Sequence, residues 1–235
     1  MFFDYTYVVL VLPCVLIALW ASHNVNATFD RYAGQHSMRR ITGAQAAQRV
    51  LSANGITNVR IEQVAGNLTD HFDPRTNVIR LSDKVYHSTS TAAIGVACHE
   101  AGHAVQYAQN YAPIKLRAAI IPLTNFGSKL AMPLILLGIV CTFLGEFSTI
   151  LVYLGIAAFG LSFVFQLITL PVEFNASRRA IRAIEEGSIL TPEEQKGAQK
   201  TLKAAAMTYV AATATALAQL LRLIILFGGG RRRRD

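Results

Sequence analysis

Four long apolar blocks constrain the fold of this chain more than any other feature of its sequence. They comprise residues 5–21, 130–144, 149–170 and 204–227 of the 235. A helix that crosses the hydrocarbon core of a bilayer needs about 20 consecutive apolar residues. The first and third blocks reach or approach that length, the second is shorter, and the last carries Arg222. Because 52% of all residues are hydrophobic and only 15% are charged, we predict an integral membrane protein with three to four transmembrane helices.

Basic residues between the blocks predict how the chain is oriented. Three of them follow the first block and three precede the second: Arg31, Arg39, Arg40, Lys115, Arg117 and Lys129. Because cytoplasmic loops carry an excess of Lys and Arg, we expect residues 22–128 in the cytoplasm and the N-terminus outside. No basic residue precedes the first block, so we predict an uncleaved anchor rather than a secretory signal. The arginines at 231–234 would be exported if the last block crosses, which leaves open both that crossing and the side of the C-terminus.

The pentapeptide His99-Glu100-Ala101-Gly102-His103 carries the clearest chemical signal. Residues 91–108 read as one largely apolar helix, with cap residues before Thr91 and a stop near Pro113. On a helix, His99 and His103 project from the same face one turn apart. Two neutral imidazoles placed in this way can hold one zinc ion, and the carboxylate of Glu100 can reach a water at that ion. The pattern therefore predicts a catalytic zinc site.

A catalytic zinc ion typically has three protein ligands and one open position. Glu173 is the preferred third ligand, because it lies among apolar residues at the start of a helix that we expect to begin at Pro171. Its alternative role is to complement the dipole at that helix end. Glu185 and Glu186 are further candidates, although they look solvated. We interpret residues 70–73 as a loop that lines the active-site cleft, with a direct ligand as the alternative.

The remaining segments predict a mainly α membrane protein whose zincin-like catalytic domain contains a small β-sheet. Residues 37–53 read as a helix, and residues 56–65 and 77–82 alternate as short strands. An edge strand beside the metal helix can pair with an extended peptide. We divide the chain into an anchor (1–21), the zincin-like domain (22–128), a transmembrane hairpin (129–170), a third-ligand helix with the following helix (171–203), and a membrane or interfacial helix with a basic tail (204–235).

These motifs resemble the YugP-type neutral zinc metallopeptidases of bacteria. The resemblance rests on residues 66–74, 78–82 and 99–106 and extends over nearly the whole chain. It implies a bacterial plasma membrane protein with one zinc ion. More distantly, residues 173–177 resemble the Glu-x-x-Ala-Asp element of HtpX-type and CAAX-processing proteases, which implies that Glu173 is the third ligand. Ser177 stands where those proteases have Asp, so support of a ligand histidine would fall to Ser177 or to Asn175.

Together these features predict a zinc-dependent endopeptidase that acts on polypeptides, with Glu100 as general base on the attacking water. The oxyanion donor stays open among His71, Tyr86, His87 and Tyr107. Gln106 either orients a zinc ligand or faces another helix. The bilayer is a further partner, and no interleaving of aromatic and basic residues indicates nucleic acid. The oligomeric state is not readable.

Two other classes of function compete with this prediction. The first is a non-catalytic zinc-binding membrane scaffold, whose structural zinc site would be closed by four protein ligands. The second is a transport path, against which the scarcity of ionisable residues in the apolar blocks argues.

Overall fold

The computed structural model describes residues 4–228, except for the side chain of Leu144, and the arginine run predicted to form a basic tail lies outside this range. The described chain is mainly α-helical with one small sheet, as predicted. The elements are a π-helical turn (Tyr7–Val11), α1 (Leu12–Ala33), α2 (Gly43–Ala53), β1 (Arg60–Val64), β2 (His71–Asp73), β3 (Val78–Ser82), α3 (Asp83–Tyr86), α4 (Thr91–Ala108), α5 (Ala112–Val140), a 3₁₀ turn (Thr142–Leu144), α6 (Glu146–Glu186) and α7 (Pro192–Gly228).

Four helical segments of the described chain are long and apolar enough to cross a membrane. They are Tyr7–Ala33, Ala112–Val140, Glu146–Glu186 and Pro192–Gly228. The chain divides into two compact units, each of which combines segments that are distant in sequence. The five-segment division given above stays a prediction.

The first unit combines Met1–Trp20, Leu116–Leu170 and Tyr209–Asp235. Its α5 and α6 pack closely, since a Cβ on Gly155 would lie 2.8 Å from the carbonyl oxygen of Ala131. Small residues at helix crossings allow this approach in membranes. Many large apolar side chains of this unit are exposed, as expected for a surface that faces lipid. Arg222, the one charge in the last apolar block, is paired with Asp4 at 2.7 Å.

The second unit combines Ala21–Lys115 and Pro171–Thr208. Its centre is α4, which Ser90 caps by accepting a hydrogen bond from the backbone N–H of Ala93. Most side chains of α4 are buried on all sides, and α2 packs along it. The sheet has the strand order β1-β3-β2, with β1 parallel and β2 antiparallel to β3. The two edge strands are therefore β1 and β2, and of these β2 contacts α4.

Two local predictions were wrong. Residues 71–73, interpreted as loop, form β2, in which His71 pairs with Arg80. Asp70 holds this strand in place, because its carboxylate accepts hydrogen bonds from the backbone N–H of Ser82 at 2.7 Å and from its hydroxyl at 3.0 Å. Pro171 does not start a helix but lies inside α6, which continues through it for 41 residues.

Candidate metal centre

Three side chains of the second unit converge on one point. His99 and His103 project from the same face of α4, with ring centroids 4.7 Å apart. Glu173, on α6, places its Oε2 atom 3.2 Å from Nε2 of His99 and 3.5 Å from Nε2 of His103. One ligand-type atom from each residue lies within 4.8 Å of the other two. The structure thus brings together the two imidazoles and the carboxylate that the sequence singled out.

The spacing of these atoms fits a zinc ion. Zinc binds histidine nitrogen and carboxylate oxygen at about 2.0–2.2 Å with tetrahedral angles, which places neighbouring ligand atoms about 3.3–3.5 Å apart. The measured separations of 3.2 and 3.5 Å from Glu173 to the two imidazoles match this value. In the described residues 4–228 the group contains three side chains, so a fourth position would be left for water.

Hydrogen bonds on the outer side of His103 fix which of its nitrogens faces the centre. Gln106 is fully buried, and its Nε2 donates to the carbonyl oxygen of Val172 at 2.9 Å and to Oδ1 of Asn175 at 3.0 Å. Its Oε1 is therefore an acceptor, and it lies 3.0 Å from Nδ1 of His103. When Nδ1 carries the proton, the lone pair of Nε2 points toward Glu173, as metal binding requires.

His99 is held in a similar way by a hydroxyl. Its Nδ1 lies 3.1 Å from Oγ of Ser177, one helical turn after Glu173 on α6. Of the two residues that the sequence left open as support for a histidine, Ser177 is thus the one that contacts His99. Asn175 instead contacts Gln106. Ser177 thus contacts the imidazole of His99 directly, whereas Asn175 contacts Gln106, the hydrogen-bond partner of His103.

Arg179 is a further member of this network, which sequence reasoning did not assign to the site. Its Nε donates to Oδ1 of Asn175 at 2.7 Å, and its Nη1 donates to Oε1 of Gln109 at 2.6 Å. The only local signal was its position four residues after Asn175, which places the two on one helix face. We refer to the series of hydrogen bonds that links Arg179, Asn175, Gln106 and His103 as the relay.

A close helix crossing holds the two parts of the centre together. A Cβ on Gly102 would lie 2.8 Å from the backbone oxygen of Ala176, so only glycine fits here. Ala176 lies between Glu173 and Ser177 on α6. The glycine inside the pentapeptide therefore sets the distance at which the carboxylate of Glu173 approaches the imidazoles.

Glu100 is buried next to this centre, with 9% of its surface exposed. Burial raises its pKa to about 7, and the carboxylates of Glu173 and Asp70 add to this, whereas His99 and the backbone N–H of Phe72 oppose it. A general base is most effective when its pKa is near the working pH. The electrostatics of the site thus suit Glu100 for proton transfer at neutral pH. Phe72 belongs to β2, which places this edge strand beside the centre.

Other candidate residues lie elsewhere in the second unit. His71 is exposed, and its Nδ1 lies 2.8 Å from the carbonyl oxygen of Thr69. His87 contacts Gln63 of β1 through its Nε2 atom at 3.2 Å. Tyr107 packs edge-on against Phe72 of β2. None of these contacts selects an oxyanion donor.

The other carboxylates considered as alternatives, Glu185, Glu186 and Asp70, are not part of the converging group in the described residues. Glu185 and Glu186 are exposed near the end of α6. Asp70 is bound to Ser82, and burial raises its pKa, although the hydrogen bonds from Ser82 act in the opposite direction. Among the described residues, Glu173 is thus the carboxylate that meets both imidazoles.

Comparison with known proteins agrees with this geometry. A family model described as "putative neutral zinc metallopeptidase" matches residues 7–228. The chain belongs to this family. The "putative membrane protease YugP" of Bacillus subtilis (strain 168) is 43% identical over 225 residues, which cover 96% of this chain and 98% of that protein. No solved structure matches the chain. The family, together with four apolar helices, makes this a membrane protein related to zinc peptidases, and the resemblance found in the sequence is confirmed.

Proposed function

We propose that this protein is a membrane-embedded zinc-dependent endopeptidase that hydrolyses peptide bonds in polypeptides. The observation that carries the proposal is the convergence of His99, His103 and Glu173 at separations suited to a tetrahedral zinc ion, with Glu100 buried beside them. The family description and the relative's name support the same class of activity.

The residues divide the chemistry among them. His99, His103 and Glu173 would hold one zinc ion, which would lower the pKa of a water and polarise the scissile carbonyl. Glu100 accepts a proton from the attacking water and delivers it to the leaving amine.

Substrate binding falls to the edge strand β2. Its outer edge carries backbone groups that no strand of the described chain covers. An extended polypeptide can pair with such an edge through main-chain hydrogen bonds, without a requirement for a particular side chain. Because the backbone of Phe72 also faces Glu100, a peptide on β2 would pass close to the base.

The bilayer is the second partner, and we place the protein in the bacterial plasma membrane with the peptidase unit in the cytoplasm. The excess of Lys and Arg in residues 22–128 supports this orientation. A single cysteine introduced at Arg75 in a cysteine-free background tests it. Labelling of intact cells with a membrane-impermeant maleimide should fail, and labelling after lysis should succeed. Labelling of intact cells would place the unit outside.

The catalytic assignment is tested with Glu100→Gln in the full-length protein in detergent. We expect cleavage of a fluorogenic peptide to fall by about 10²–10⁴-fold, the usual contribution of a general base, while zinc content by mass spectrometry stays unchanged. Glu62→Gln is the matched control, since this acid lies on β1 and pairs with Arg60. Wild-type cleavage by Glu100→Gln would refute the assignment.

The same experiment separates the peptidase from the zinc scaffold. In a peptidase, His103→Ala should lose zinc and cleavage together. In a scaffold, the wild-type protein would bind zinc without cleaving any peptide of a broad library. A scaffold would also show four protein ligands by X-ray absorption spectroscopy. We expect three protein ligands and one exchangeable position.

A further inference from the structure

A basic cleft lies at the outer end of the relay. Its volume is about 410 Å³, and it is bordered by α2, α4 and α6. Three arginines of α6 line it, namely Arg178, Arg179 and Arg182. The side-chain amides of Asn175 on α6, of Asn54 directly after α2 and of Gln109 directly after α4 line it as well. We refer to this feature as the arginine cleft.

The positive charge of the arginine cleft is only partly balanced by the residues that line it. Glu186 is the one carboxylate among the lining residues. Within residues 4–228, none of the three arginines forms an ion pair with a carboxylate. Three guanidinium groups within two turns of one helix repel each other, so an anion between them would be stabilised.

A row of solvated arginines next to a membrane helix is common. The shape of the site must therefore distinguish an anion-binding site from such a solvated helix face. Arg179 is only partly exposed, and its side chain is held by Asn175 at 2.7 Å and Gln109 at 2.6 Å. A guanidinium fixed in this way loses little conformational entropy when it binds a ligand. The arginine cleft is therefore concave and partly preorganised, unlike a solvated helix face.

The chemistry of the lining selects the class of anion. Arginine presents planar pairs of N–H donors that match phosphate oxygens, and phosphate carries enough acceptors for more than one guanidinium. The walls also contain apolar side chains, including Val50, Val105 and Ala183. A volume of about 410 Å³ is within the range of pockets for small organic ligands. These features fit a phosphate group attached to a small organic moiety.

We propose that the arginine cleft binds a phosphate group and that its occupancy is transmitted to His103 through the relay. A phosphate there neutralises the charge of Arg179, whose guanidinium donates a hydrogen bond to Asn175, and so changes the strength of that bond. Asn175 in turn contacts Gln106, which holds Nδ1 of His103. Binding at the arginine cleft does not depend on peptidase activity and can be measured without it.

Calorimetric titration of the full-length, metal-free protein with inorganic phosphate in lipid-free detergent tests binding. We expect saturable binding that weakens at least about tenfold in Arg182→Gln, since hydrogen bonds to charged groups contribute this much. Glu186→Gln should bind more tightly, because it removes the one negative charge. Arg75→Gln, at an exposed arginine after β2, should bind as wild type does. Equal affinity in all four proteins would overturn the proposal.

The source of the phosphate is distinguished by a second arm. Native mass spectrometry of protein taken from vesicles of phosphatidylglycerol and phosphatidylcholine detects retained lipid. Retention of phosphatidylglycerol by wild type, with loss in Arg182→Gln, would identify a lipid headgroup as the ligand. Binding of inorganic phosphate without lipid retention would identify a free phosphorylated compound. If the protein neither binds inorganic phosphate nor retains phosphatidylglycerol, the proposed site is refuted.

The relay is tested by nuclear magnetic resonance with ¹⁵N-labelled histidine in the metal-free protein. Addition of phosphate should shift the ring nitrogens of His103, assigned by loss of the signal in His103→Gln. The shift should disappear in Gln106→Leu, which keeps the arginine cleft but interrupts the relay. Phosphate binding without any shift of His103 would overturn the transmission.

Discussion

Replacing Gly102 by alanine should weaken zinc binding more than it weakens the fold. The added Cβ would lie 2.8 Å from the backbone oxygen of Ala176, whereas ordinary contacts begin at about 3.4 Å. α6 must therefore retreat by about 0.6 Å (3.4 − 2.8) at this point. Glu173 lies one turn away on the same helix and would move with it. Its Oε2 would then lie about 0.6 Å too far from the imidazoles for a tetrahedral ion.

The two consequences have different sizes. Overpacking typically costs about 1–3 kcal/mol, but alanine in a helix is favoured over glycine by about 1 kcal/mol. We therefore expect the free energy of unfolding of the metal-free protein to fall by only about 0–2 kcal/mol. Zinc affinity should fall by about 10–100-fold, as when residues that orient metal ligands are changed.

Competition with a chromophoric chelator measures zinc affinity, and denaturation of the metal-free protein in detergent measures stability. Gly160→Ala is the matched control, because a Cβ on this helical glycine would meet nothing within 4 Å. It should keep zinc affinity unchanged. If Gly102→Ala binds zinc as tightly as wild type does, the crossing does not set the position of the third ligand.

Two further substitutions test the surroundings of the centre. Gln106→Leu should lower zinc affinity by about 10–100-fold, since Nδ1 of His103 loses its acceptor; wild-type affinity by chelator competition would show that the relay does not orient this ligand. Asp70→Ala should destabilise the protein by about 1–3 kcal/mol, because the buried N–H of Ser82 loses its acceptor. Asp70→Asn, which keeps one acceptor oxygen, should lose less, and equal losses in chemical denaturation would contradict this explanation of β2.

Local features of the centre were predictable from the sequence. The helix that presents the imidazoles begins at Thr91 and ends at Ala108, as expected. Its boundaries follow from a cap at Ser90 and from the spacing of the two histidines, which are both local signals. The common face of His99 and His103 needs no tertiary information.

Features that depend on distant contacts were not predictable in the same way. From the sequence, Gln106 was equally suited to orient a zinc ligand or to face another helix. In the structure it does both, because it contacts His103 and also Val172 on α6. It also left Ser177 and Asn175 as equal partners for a histidine. Both questions are decided by how α6 crosses α4, between residues more than sixty positions apart. Propensity and spacing carry no information about such a crossing.

The same physical reason explains the two local errors. β2 is only three residues long, and Asp70, directly before it, is hydrogen-bonded to Ser82 at the end of β3, a contact between residues twelve positions apart. Pro171 usually interrupts or starts a helix, but here α6 continues through it. In membrane helices, neighbouring groups can satisfy the backbone that a proline frees.

The order of the zinc-site residues along the chain has a consequence for biosynthesis. His103, the later of the two histidines, is synthesised 70 residues before Glu173 (173 − 103), and the apolar segment of α5 and α6 separates the histidines from Glu173. At translation rates of about 5–20 residues per second, the ribosome needs about 4–14 s to cover this interval. A nascent chain therefore carries two imidazoles without their carboxylate until this segment has left the ribosome. Under the proposed function, the chain would therefore not hydrolyse peptides until the part of α6 that carries Glu173 has been made.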